Sequence, residues 1–189
     1  NSLHPNLIPW LKSRNSARAA GREDAGLYTP EASRADVSEL FTTHLVSTPH
    51  VPLVRDEYLP APAYAAQVRI YHPRPAKPLP VLVYFHGGGF VAGGINLYEP
   101  ICRKLALASD HIVICPEYRL APEAPYPAAI IDALGALKYL PRLLVSQGIP
   151  HRPSFSVAGD SAGAALATIV AARARRDISL SVRRQGAGR

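Results

Sequence analysis

The run Val81-Leu82-Val83-Tyr84-Phe85 is continuously apolar and rich in β-branched residues, the pattern of a strand buried on both faces. Residues 111–115 read as the next buried strand, 154–158 as a strand entering the turn at Gly159, and 51–58 and 66–71 are further strand candidates. Between them the period changes to that of a helix. Residues 98–108 place Ile101, Leu105 and Ala108 on one face. Residues 126–144 carry a proline in the first turn and turn Ile130, Leu134, Leu137 and Leu140 inward. A further helix is predicted over 162–176, and 178–182 can begin one more strand. Pro73, Pro75, Pro78 and Pro80 mark a solvent-side connection, because proline lacks the N–H that a ladder needs. Strand and helix alternating in this way give an α/β fold with a mostly parallel sheet and helices on both faces. Two amphipathic helices, 7–20 and 35–45, precede it, so 1–50 is set apart from a core over 51–176 and a basic low-complexity tail over 177–189. No internal repeat is visible.

Composition narrows the function classes. With 189 residues and 48% hydrophobic content, the chain suits one globular domain with a real core. The net charge of +7 suggests a nucleic-acid footprint until it is located. Six of the arginines fall within 173–189, which reads as a solvated segment, so no nucleic-acid partner is expected. The longest apolar run, 162–172, is too short for a membrane span. The chain opens on Asn1 without a signal-peptide pattern, which favours a cytoplasmic location and leaves open an incomplete N-terminus. Cys102 and Cys115 are too few for a disulfide framework and read as buried free thiols. No spacing suggests a metal, and no cofactor is expected.

Two short segments carry chemistry. Gly159-Asp160-Ser161-Ala162-Gly163 fits G-x-S-x-G, a serine on a tight strand-to-helix turn with its hydroxyl clear of the sheet. His86-Gly87-Gly88-Gly89-Phe90 fits the HGGG loop, whose bare N–H groups can face a developing oxyanion. Each follows a strand-like run, in the order a serine esterase requires. The same glycines, with Ala92, also satisfy G-x-G-x-x-A, a dinucleotide fingerprint, with Glu117 near the end of the next strand. Gly93-Gly94 delays the helix that would receive a pyrophosphate, and that reading leaves the serine turn unexplained.

These residues resemble the hormone-sensitive-lipase-like branch of the α/β-hydrolases, the fold-3 carboxylesterases. The resemblance covers about 73–176 and includes a second signature, Tyr118-Arg119-Leu120-Ala121-Pro122-Glu123 followed by Pro125-Tyr126-Pro127-Ala128. Glu117 stands where the family usually has Asp, and Ala164 where it often has Gly. The resemblance implies an α/β-hydrolase fold in which 1–50 is a helical cap over the C-terminal ends of the strands. It implies a small ester as substrate, Ser161 as nucleophile, and an oxyanion hole of the Gly87, Gly88 and Ala162 N–H groups. His86, Gly89 and Asp160 support the loop. His86 is expected to brace it rather than act as base, whereas Asp160 either accepts a hydrogen bond within the site or is solvated. Arg119, Glu123 and Asp132 are expected to form structural ion pairs.

The family's triad continues after the serine with an acid and then a histidine. All seven histidines of this sequence precede Ser161. Asp177, the only acidic residue after it, would lie about 24 Å away at the far end of the next helix. The expectation is therefore a chain cut short after the nucleophile helix, with the C-terminal part of the sheet and the triad Asp and His missing, and inactive as it stands. The alternative is a non-catalytic small-molecule-binding protein on the same scaffold, like the plant gibberellin receptors. Acyl length and oligomeric state are not legible.

Overall fold

The computed structural model describes residues 5, 7–19, 29–44, 47–61, 64–175 and 184–188. Six strands, β1 (Leu53–Tyr58), β2 (Gln67–His72), β3 (Leu79–Phe85), β4 (Ile112–Pro116), β5 (His151–Asp160) and β6 (Arg184–Gly188), form one sheet in the order β1-β2-β4-β3-β5-β6. β3 pairs in parallel with β4 and β5, and β5 with β6. β2 runs antiparallel to both β1 and β4, so the sheet is mixed, with an antiparallel edge on a parallel centre. The helices among the described residues are α1 (Leu7–Ala19), α2 (Pro30–His44), α3 (Ile95–Ser109), α4 (Ala128–Ser146) and α5 (Ala162–Ala174).

Side-chain alternation along the strands builds two cores. Val81, Val83 and Phe85 of β3 join Ile112, Ile114 and Val157 against α4 and α5. Tyr84, Val113 and Cys115 face the other way, against Ile95, Tyr98, Cys102 and Ala106 of α3. Both cysteines are buried free thiols. Pro80 lies where the β3–β5 register shifts between Leu79 and Val81, a place where a missing N–H is tolerated.

Three expectations are corrected. In α3 the buried stripe is Ile95, Tyr98, Cys102 and Ala106. Ile101 and Leu105 are only half-buried and Ala108 is exposed. In α4 the inward face centres on Ala133, Ala136, Leu137, Leu140 and Leu144, leaving Ile130 and Leu134 at its margin. In both helices small residues, Cys102 and Ala106 in α3 and Ala133 and Ala136 in α4, share the buried stripe, which a search for large apolar residues misplaces by about one position. The third correction concerns the tail: residues 184–188 form β6, in register with Ser156–Asp160. Backbone hydrogen bonds hold this strand, and its Arg-Gln-Gly-Ala-Gly sequence carries no hydrophobic signal. Residues 178–182 and Asp177 lie outside the described residues. No helix among the described residues is long and apolar enough to cross a membrane.

Candidate active site

β5 ends at Asp160 and α5 begins at Ala162, so Ser161 is the entire turn between strand and helix. Its backbone sits at φ 51° and ψ −118°, in the positive-φ range that non-glycine residues avoid, and its side chain is exposed. The turn is that tight because β3 lies directly over it. A Cβ on Gly163 would come within 2.0 Å of the Phe85 carbonyl oxygen and 2.5 Å of that of His86. Only glycine permits that approach. The loop that leaves β3 therefore begins against the first turn of α5.

Asp160 fixes the contact. Its Oδ1 accepts hydrogen bonds from the Tyr84 hydroxyl (3.0 Å) and the Gly87 N–H (3.0 Å), and its Oδ2 accepts one from the Tyr98 hydroxyl (2.9 Å). Burial, reinforced by the Asp160 charge, pushes both tyrosine hydroxyls well above their ordinary pKa, so they remain donors. Of the two roles left open for Asp160, the structure selects the hydrogen-bonded one.

His86 is fully buried and stacks on the Tyr118 ring, with centroids 4.2 Å apart. Its Nδ1 lies 2.7 Å from the Gly87 carbonyl oxygen, and the Tyr118 hydroxyl donates to the His86 carbonyl at 2.7 Å. Burial pushes the imidazole below its ordinary pKa, so the ring is neutral at pH 7 and its Nδ1–H donates to Gly87. No hydrogen bond joins it to Ser161 among the described residues. Beyond it, Gly88, Gly89 and Phe90 all have positive φ, and the Gly88 carbonyl accepts from the N–H groups of Val91 and Ala92. A Cβ on Gly89 would meet nothing within 4 Å, so open space lies beside it. Ala162 is the first residue of α5, with its N–H at the helix start.

The second signature braces the next loop. The Arg119 guanidinium grips the buried Asp132 carboxylate through two bonds of 2.9 and 2.7 Å, and lies over the Tyr64 ring. Glu123 instead pairs with Arg34 of α2. Glu117 accepts the Ile95 N–H at 2.7 Å and so heads α3. A carboxylate thus occupies the helix N-terminus where a dinucleotide's pyrophosphate would sit, which counts against the nucleotide fingerprint. No cluster of three metal-ligating side chains occurs among the described residues.

A model of the alpha/beta hydrolase fold family matches residues 82–187. The chain belongs to that family. Its signatures place it in the hormone-sensitive-lipase-like branch. It is 44% identical over 126 residues to esterase LipI of Mycobacterium tuberculosis, a match covering 65% of this chain and 39% of LipI. It is 32% identical to an ethyl acetate hydrolase of Pseudomonas putida, over 90% of this chain and 55% of that protein. An esterase structure from Pyrobaculum calidifontis superposes with a TM-score of 0.80 at 32% identity, covering 97% of this chain and 57% of the other. This α/β-hydrolase chain thus spans between about two fifths and somewhat over half of these relatives.

Among the candidate residues, Asp160, Gly87, His86 and the Ser161 turn are brought together around the ends of β3 and β5. Gly87 differs from expectation, because Asp160 already takes its N–H. Tyr84, Tyr98 and Arg34 escaped sequence reasoning. Tyr84 read there only as part of the apolar β3 run and Tyr98 only as the start of the next helix, and nothing local in the sequence links either to a carboxylate so distant in the chain.

Proposed function

We propose that this chain carries the nucleophile half of a serine carboxylic ester hydrolase acting on small or short-chain acyl esters. The observation that carries the reading is the exposed, positive-φ Ser161 between β5 and α5, whose neighbours Asp160 and Gly163 meet the Gly87 N–H and the Phe85 and His86 carbonyls where the glycine loop leaves β3. The Ser161 hydroxyl adds to the ester carbonyl carbon, its proton passes to a base, and the alcohol departs to leave an acyl-enzyme that water then hydrolyses. The N–H groups of Ala162, Gly88 and Gly89 face the oxyanion. Gly89 replaces the expected Gly87, whose N–H is spent on Asp160. Loss of one such donor typically costs about 2.7–4 kcal/mol of transition-state stabilisation.

The base is the missing part of this reading. His72 and His86 are buried, and no imidazole among the described residues is hydrogen-bonded to Ser161. The 189-residue polypeptide therefore has at most trace turnover. An oxyanion site without its base still supplies about 10³–10⁴-fold acceleration over water. Without the base, acyl transfer to Ser161 is slow, and deacylation, which needs the same base to activate water, is slow as well.

The test is incubation of the chain and its Ser161→Ala variant with p-nitrophenyl acetate, followed by peptide mapping. Acetyl on the Ser161 peptide of the parent chain, absent from the variant and accumulating without rapid turnover, is expected. Equal labelling of the two proteins, or none at Ser161, overturns the reading. Robust turnover that vanishes in the variant overturns the missing-base part of it, since a histidine upstream of the serine would then be the base.

A further inference from the structure

We propose that helix α2 is a positioning element for the glycine loop, gripping it at two points through Arg34 and Phe41. This rests on the reading of Gly88 and Gly89 as oxyanion donors. The two residues stand two turns apart, about 10.5 Å along the axis, and so share one face of the helix.

The first grip runs through Arg34. Its Nε donates to the Val91 carbonyl at 2.9 Å and its Nη2 to the Ala121 carbonyl at 3.1 Å, while Glu123 anchors the guanidinium with bonds of 2.8 and 2.6 Å. Val91 is also the residue whose N–H closes on the Gly88 carbonyl at 3.0 Å. Arg34 is therefore one residue removed from the turn that aims the Gly88 and Gly89 N–H groups.

The second grip runs through Phe41. Its ring packs on Tyr98 with centroids 4.6 Å apart, and the Tyr98 ring also lies 5.4 Å from that of His86. The Tyr98 hydroxyl holds Asp160 Oδ2, whose other oxygen holds the Gly87 N–H. A Cβ on Gly87 would come within 2.2 Å of Asp160 and 2.8 Å of the Tyr98 hydroxyl, so this end of the loop has little space in which to shift. Phe41 sets the Tyr98 ring, Tyr98 sets the carboxylate, and the carboxylate sets Gly87. Phe41 and Arg34 are positioning residues, acting on the loop through Tyr98 and Val91.

The test is residue-resolved amide hydrogen exchange on the 189-residue chain, with no substrate present. Phe41→Ala and Tyr98→Phe are expected to speed exchange of the Gly87 N–H by about tenfold or more, and Arg34→Ala to do the same for Val91 and Ala92. The amides of Val83, Ile114 and Val157 in the central strands should stay within about twofold of the parent chain. Phe41→Tyr keeps the ring and should restore Gly87 protection. Tyr98→Phe removes a single oxygen and keeps the test valid should an alanine variant fail to fold. Unchanged loop exchange over a protected core overturns the proposal. So does loop exchange that rises only in step with the core, since that would make α2 a general stabiliser. The measurement is independent of acetyl transfer to Ser161, so failure of the hydrolase reading and failure of this one are separately visible.

Discussion

Asp160 and Gly87, 73 positions apart in the chain, are joined by a 3.0 Å hydrogen bond that ties the loop after β3 to the turn after β5. Two tyrosine hydroxyls converge on the same carboxylate. Asp160→Ala strands three donors, and an unsatisfied buried donor costs about 1–3 kcal/mol. A loss of about 3 kcal/mol in urea unfolding is expected. Asp160→Asn keeps one acceptor oxygen and should lose clearly less. Equal losses for the two variants would mean that the hydrogen bonds are not what matters.

Gly163→Ala drives a methyl group into the Phe85 and His86 carbonyls, backbone atoms that cannot rotate aside. It should cost at least about 3 kcal/mol or prevent folding. Gly135, in the interior of α4, is the opposite case: a Cβ there meets nothing within 4 Å. Gly135→Ala should stabilise by about 0.5–1 kcal/mol through helix propensity. Thermal unfolding of the pair checks both signs.

The Asp132 side chain is 1% exposed and neutralised by Arg119. Arg119→Met leaves that carboxylate buried with its principal partner gone and should cost about 2–3 kcal/mol. The double change Arg119→Met with Asp132→Leu should recover part of the loss, because the desolvation penalty disappears with the charge. A double variant no more stable than the single one would contradict this.

His72 and His86 are both pushed below their ordinary value of 6.5 by burial. The folded chain holds them neutral while the unfolded chain protonates them, so their contribution to stability is complete above about pH 6.5 and is lost as pH falls below it. Asp56, held below the usual carboxylate range by Arg69, acts in the same direction only at lower pH. The unfolding midpoint should drop between about pH 7 and pH 5, and His72→Gln should show a shallower drop. Identical profiles for parent and variant would refute the assignment to His72.

The sequence by itself determined the elements and the chemistry that is local. Apolar runs bounded by glycine and proline gave β3 and β4, because a doubly covered strand must be apolar at nearly every position, while Phe155 and Val157 leading into Gly159 marked β5. Gly159 and Gly163 around Ser161, and Gly87 and Gly88 after His86, announced the turn and the loop, since a side chain at any of them would run into neighbouring atoms. What lay beyond local pattern was decided by tertiary structure. Helix period did not show that Cys102 and Ala106 in α3, and Ala133 and Ala136 in α4, belong to the buried stripe, because which face is covered depends on what lies opposite. β6 has no hydrophobic signal and exists through pairing with β5. Asp160 read equally well as solvated, and only the sheet order that sets β3 beside β5 brings Tyr84 and Gly87 to it. That placement removed Gly87 from the expected oxyanion donors. An N–H makes its bond with whichever acceptor the fold places first, and sequence spacing carries no record of that neighbour.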